Sequence, residues 1–268
     1  MKKLTVSVLA LAMALSLAAC GGGSASSSEA ASSETASSEA VSSEAASTEA
    51  TESTAEVSVM SYADYVAAEV DSPVCVETYV QAKQSWWEDK ATLYTQSPDG
   101  AYFIYDMAVS QEDYDKMVPG TKLLVTGYKA EWEGEVEIID ATYEILEGDT
   151  FVAEATDVTD QLGTDTLVDF QNQFVSFKGM TVEAANDAGD AFLYKWDGSG
   201  SDGDDLYFNV SKDGQTYSFT VESYLCDNTT DVYNAVKALN VGDVVDMEGF
   251  LYWYQGANPH ITSVTAAQ

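Results

Sequence analysis

Gly127–Gly134 reads GYKAEWEG and Gly249–Gly256 reads GFLYWYQG, so a glycine, four residues, an aromatic, one residue and a second glycine recur 122 positions apart. The spacing extends upstream, because Gly120 precedes Gly127 by seven positions and Gly242 precedes Gly249 by seven. Gly120, Gly127, Trp132 and Gly134 therefore match Gly242, Gly249, Tyr254 and Gly256 at one constant offset, which indicates an internal duplication. The first glycine of each quoted stretch is expected to permit a sharp bend where a strand curls, and the second to serve the turn that follows.

Working outward, each copy carries the same order of local signals. The turns Ser97-Pro98-Asp99-Gly100 and Ser211-Lys212-Asp213-Gly214 each join two alternating, β-rich runs, which predicts two hairpins with glycine supplying the positive φ. After each hairpin comes one short amphipathic helix. SQEDYDKMV starts at Ser110 with Asp113 three residues on, and TDVYNAVKAL places Val232, Val236 and Leu239 on one face. Ahead of each hairpin stands a further alternating strand, PVCVETYVQA in the first copy and QFVSFKGMTVEA in the second. Strand, hairpin, helix and a closing pair of strands is the order of the OB-fold, a five-stranded Greek-key barrel.

On these motifs, together with Leu17-Ala18-Ala19-Cys20 near the N-terminus and the Ser/Ala/Glu-rich tract that follows it, the chain resembles bacterial lipoproteins that carry tandem OB-like domains behind a low-complexity tether. The resemblance covers nearly the whole mature chain, and it rests on structural motifs. It implies an all-β protein with short helices, two tandem five-stranded OB-fold-like barrels after a disordered linker. An SH3-like pair or one continuous sandwich is the competing architecture. The expected boundaries are 1–19 for a signal peptide, 20–57 for the tether, 58–155 for the first domain and 156–268 for the second.

The N-terminal motifs set the expected compartment. Lys2 and Lys3 precede an apolar run from Leu4 to Leu17, too short for a membrane span, and Leu17-Ala18-Ala19-Cys20 resembles a lipobox. That resemblance implies cleavage before Cys20, lipid attachment to its sulfur and a stable anchor on the extracytoplasmic face of the cell membrane. The Ser/Ala/Glu/Thr tract that follows has a loose five-residue period and no aromatic residue, so it cannot bury enough apolar area to order itself. Its repelling glutamates predict an extended tether.

Charge and composition bear on partners. The formal net charge is −34, and all eleven basic residues are lysines. Without arginine there is no planar fork for phosphate, and the lysines form no stripe, so on charge alone no nucleic-acid partner is expected. The aromatics Trp86, Trp87 and Trp196 lie in the connections between first and second strands, and Trp132, Trp253 and Tyr254 lie near the closing turns. These six are the candidate ligand-binding residues, with closure of the barrel ends as their structural alternative. Tyr252, Trp253 and Tyr254 are expected to alternate faces along a strand. Asp197, Asp202, Asp204 and Asp205 offer chemistry suited to calcium, but without EF-hand spacing, and a solvated acidic loop is the better reading of them.

No cofactor and no catalytic residue is expected. His260 is the sole histidine, which excludes multi-histidine metal sites, and it is expected to be a partly exposed strand residue. Phosphate-loop, GxSxG and HExxH motifs are absent from the sequence. Cys75 and Cys226, one per copy, are expected as buried thiols, with a disulfide between them the alternative for an exported protein. The expected function is a lipid-anchored, extracytoplasmic binding or interaction protein for a carbohydrate, a small solute or a protein partner at the cell surface such as an envelope protein, with a structural spacer or envelope-stress module without small ligand as its alternative.

Overall fold

The computed structural model describes residues 58–267. The expected signal segment, the expected lipidation at Cys20 and the expected tether lie outside the described residues.

A short helix, α1 (Tyr62–Ala67), opens the first copy, with the Ser61 hydroxyl accepting from the Asp64 N–H as its cap. Strands β1 (Pro73–Lys83), β2 (Lys90–Ser97) and β3 (Gly100–Ala108) follow. Then come α2 (Gln111–Lys116), β4 (Lys122–Trp132) and β5 (Glu135–Leu146). Ser110 caps α2 as expected, accepting from the Asp113 N–H at 3.2 Å. The ring runs β1-β2-β3-β5-β4 and closes through β1 against β4. Its one parallel pairing, Phe103 opposite Glu137, joins β3 to β5 across the helix connection. Val76, Val80, Leu93, Ile104, Met107 and Leu123 fill the interior with no solvent exposure.

The second copy repeats this path with additions. Strand β6 (Thr156–Asp157) and two 3-10 turns, Thr159–Gln161 and Leu167–Phe170, lead into β7 (Phe174–Glu183). A short strand β8 (Phe192–Tyr194) sits in the long connection before β9 (Leu206–Lys212) and β10 (Gln215–Val221). Helix α3 (Asp231–Lys237), β11 (Val244–Phe250) and β12 (His260–Ala266) complete it. Strand β7 pairs with both β9 and β11, so β7-β9-β10-β12-β11 is again a closed ring with β6 and β8 as outliers. The chain is therefore all-β with short helices and two five-stranded OB-like barrels.

The quoted glycines sit where the duplication requires them. Gly127 and Gly249 each coincide with a register shift in the fourth strand of their barrel. A Cβ on Gly127 would lie 2.7 Å from the Ile139 carbonyl oxygen, and one on Gly249 would collide with the His260 carbonyl oxygen. Only glycine lets the neighbouring strand approach so closely at the bend. Gly134 then turns the chain with φ +95°.

The second hairpin departs from the expected alternation. Strand β11 ends at Phe250, and Tyr252–Tyr254 lie in an irregular loop. That loop satisfies its own backbone: Tyr252 N–H donates to Phe250 O, Tyr254 N–H to Gly256 O, and Asn258 N–H to Tyr252 O. Pro259, without an N–H, ends it. Copy one makes a two-residue turn at Glu133-Gly134 instead.

The barrels share a seam rather than a free linker. Phe151 packs edge-on against Tyr79, the Gln81 side chain bonds Phe151 O and Ala153 N–H, and Val158 and Leu167 enter the second core. A small apolar cluster of Tyr94 and Phe103 from the first barrel with Phe250 from the second bridges the two. Cys75 and Cys226 are both buried and free.

Candidate functional site at the junction of the barrels

The two copies of the opening motif face each other. Trp132 and its counterpart Tyr254 stand with ring centroids 5.1 Å apart at 38°. Next to them the Gln255 backbone N–H donates to Glu133 O at 2.7 Å, and the Gln255 side-chain amide donates to Glu133 Oε2. Trp253 lies against Gly134, where a Cβ would come within 2.8 Å of its ring. The second glycine of GYKAEWEG is thus also the clearance that lets the other barrel dock.

Behind this contact lies a buried polar latch. Glu135, at the start of β5, has no solvent exposure, and its Oε2 accepts from Trp253 N–H at 2.8 Å and from Gln171 Nε2 at 3.1 Å. Asn172 Nδ2 donates to Val136 O, and Gln171 Nε2 to Gly134 O. Glu135 Oε1 and Asn172 Oδ1 are both buried without a donor. Burial pushes the Glu135 carboxyl up to about 8, with the nearby Glu137 adding to the shift.

In front of the latch opens a cleft of about 670 Å³. Trp132 and Tyr254 form one wall, and Trp196, Tyr207 and Tyr252 contribute further rings. Trp132, Trp196 and Tyr254 are 53%, 76% and 44% exposed, with Trp132 and Tyr254 packed against each other. Tyr252 stacks on His260 at 4.4 Å and 25°. His260 is not the partly exposed strand residue expected from sequence: it is 6% exposed, and burial lowers its pKa to about 3, so it is neutral. Its Nδ1 lies 2.6 Å from the hydroxyl of the fully buried Tyr94, in the other barrel.

The remaining polar lining is acidic and amide. Asp205 Oδ1 accepts from the N–H and hydroxyl of Ser223. Glu222 accepts from the Tyr224 and Leu225 N–H groups, and burial raises its carboxyl to about 7. Asn258 Oδ1 accepts from Thr220 Oγ1, which leaves its Nδ2 donors free for the cleft. Lysine does not line this cleft.

The six aromatics named from sequence divide. Trp132, Trp196 and Tyr254 come together here. Trp87, 69% exposed, lines a separate, smaller cleft with Tyr105 and Tyr224. Trp86 closes the first barrel, its indole N–H donating to Val109 O at 3.0 Å, and Trp253 packs on the second core. Tyr207, Tyr252, Asn258 and His260 were not singled out for a site; the one available signal was that His260 is the sole histidine.

The four aspartates do not converge on a cation position. Asp202 pairs with Lys237, Asp204 with Lys195, Asp197 takes the Ser199 N–H, and Asp205 faces the cleft. Among the described residues no group of three or more His, Cys, Asp or Glu side chains is placed to hold a metal, so the calcium reading gains no geometric support. Cys226 lies in the second core with its thiol pushed up to about 12 by burial, unsuited to nucleophilic chemistry.

No protein-family model and no curated protein matches the chain. Among solved structures it is similar to a murine DNA-binding protein bound to double-stranded DNA, at 10% identity and TM-score 0.36 over 72% of this chain and 96% of that one. It is also similar to the Ifi202 HINa domain in complex with double-stranded DNA, at 10% identity and TM-score 0.33 over 74% and 97%. A replication protein A heterotrimer bound to single-stranded DNA matches at 10% identity and TM-score 0.30 over 73% and 49%. These findings correct two expectations. The exclusion of a nucleic-acid partner on charge is withdrawn, and so is the surface module for a carbohydrate, small solute or envelope protein, with its spacer alternative. The physical reason is that net charge sums acids along the whole chain, whereas stacking on aromatic rings needs no cation. At this identity and score the likeness carries no argument about this chain, and the ligand has to be argued from the cleft.

Proposed function

We propose that the chain binds single-stranded nucleic acid through its bases, by stacking in the junction cleft, and that the cleft binds rather than catalyses. The observation that supports this most is the pairing of Trp132 and Tyr254, two exposed rings from equivalent positions of the two copies, over a cleft floored by Tyr252 and His260. Stacking of a base on one aromatic ring is worth about 1–3 kcal/mol. Asp205 lines the cleft and lysine does not, so the sugar-phosphate backbone stays outside and the contribution of counterion release is small.

The test is a titration of the full chain with a short oligo(dA), followed by tryptophan fluorescence at several salt concentrations. Saturable quenching is expected, with a log–log salt slope of about −1 or shallower. Trp132→Ala is expected to weaken binding by about 5- to 100-fold, the range of one lost stacking partner. An unquenched parent, or an unaffected Trp132→Ala variant, contradicts the proposal.

Export, lipid attachment at Cys20 and an extracytoplasmic location belong to the same proposal and rest on the sequence motif alone. They are tested by intact mass of the protein recovered from membranes, where loss of residues 1–19 and a diacylglycerol adduct are expected, and an unmodified Cys20 is the contrary result.

A further inference from the structure

Tyr94 and His260 meet across the barrel junction in a way that fixes a proton. Tyr94 has no solvent exposure and is packed between Phe103 and Phe250, at ring distances of 5.0 and 4.5 Å. Among the described residues, His260 Nδ1 is the hydrogen-bond partner recorded for its hydroxyl. Were Nδ1 protonated and donating, the tyrosine O–H would be left pointing into those apolar rings with no acceptor, which buried donors avoid. The hydroxyl therefore donates, Nδ1 accepts with its lone pair, and the neutral ring carries its proton on Nε2. His260 lines the cleft, and Nε2 has no protein partner among the described residues.

We propose that His260 is a specificity-determining residue of the cleft, locked by Tyr94 of the other barrel in the Nε2–H tautomer so that it donates a hydrogen bond to the edge of the stacked ring. Tyr94 is then a positioning residue. Asn258 Nδ2 is a second donor, while Asp205 and Glu222 are acceptors. A base edge that satisfies both kinds presents a donor beside an acceptor, as the Watson–Crick edge of each of the four bases does, so the pair selects an unpaired base over one already engaged in a duplex. This ligand half rests on the base-stacking proposal; the tautomer half does not.

Because His260 is the sole histidine, nitrogen NMR of the histidine-labelled full chain reports it without ambiguity. The ligand-free parent is expected to show an unprotonated Nδ1 and a protonated Nε2, unchanged from pH 5 to pH 8. Tyr94→Phe is expected to release the lock into a mixture of tautomers and to weaken oligo(dA) binding about three- to tenfold. Single-stranded oligo(dA) is expected to bind tighter than the same sequence paired in a duplex, and to shift the Nε2 resonance. A proton on Nδ1 in the parent overturns the inference whatever the ligand. Quenched tryptophan with an unmoved His260 signal overturns the specificity role alone, and no quenching with any oligonucleotide defeats the stacking proposal while leaving the tautomer measurement to stand or fall separately.

Discussion

Replacing Glu135 by glutamine is expected to stabilise the chain in alkaline solution and to do almost nothing near pH 4.5. The folded chain holds the Glu135 proton up to about 8, whereas the unfolded chain releases it near 4.5. Between those values the folded state binds the extra proton, so this group's contribution to stability falls as pH rises and levels off above 8. At about 1.36 kcal/mol per pH unit, the loss reaches on the order of 3–5 kcal/mol. Glutamine keeps the oxygen that accepts from Trp253 and Gln171, and at the position of Oε1 it places an amide that donates at every pH, where the carboxyl donates only while it holds its proton. The titratable groups near the carboxyl are Glu137, whose charge helps raise it, and Tyr65, Tyr94 and Tyr252, whose hydroxyls burial raises so that they stay protonated through pH 9. Urea unfolding of both proteins at pH 5, 7 and 9 is the measurement. A gap that grows with pH agrees with the latch; a pH-independent gap, or a destabilised variant at pH 9, contradicts it.

Tyr94→Ala is expected to cost about 3–5 kcal/mol, the range for truncating a large buried aromatic. The loss goes beyond volume: the stack on Phe250 disappears, and His260 loses its partner inside the seam. Because Tyr94 joins cores that lie in different barrels, the variant is expected to unfold in two separated transitions where the parent shows one. Thermal melts followed by tyrosine and tryptophan signals distinguish these outcomes. A single transition displaced by less than about 1 kcal/mol would mean that the bridge carries little of the coupling.

How far the sequence revealed this arrangement depends on the range of the signal. Gly120, Gly127, Gly134 and their partners repeat at a constant offset, and each hairpin announces itself within a dozen residues, so barrel order was legible before any coordinates. The seam was not. Glu135 and Trp253 are 118 residues apart, Tyr94 and His260 are 166 apart, and no local periodicity links such pairs. Tyr252–Tyr254 looked like a strand because aromatic runs favour strands, yet Pro259 and the loop's own hydrogen bonds prevailed. Charge acts at both scales: the chain carries −34, and the cleft repeats that sign with Asp205 and Glu222 and without lysine, which is why the proposed contact is through rings rather than phosphates. The opening motif did carry one further message. The same eight residues that build each hairpin also build half of the junction, so duplication produced two edges able to meet: Trp132 opposite Tyr254 and Glu133 opposite Gln255.

The most direct measurement is of contacts between nucleic-acid bases and the junction rings, by intermolecular nuclear Overhauser effects in the full chain saturated with a short oligo(dA). The account predicts base-proton contacts to the rings of Trp132 and Tyr254, with none to Trp86. Contacts confined to the Trp87 cleft, or no base contacts at saturation, would contradict it.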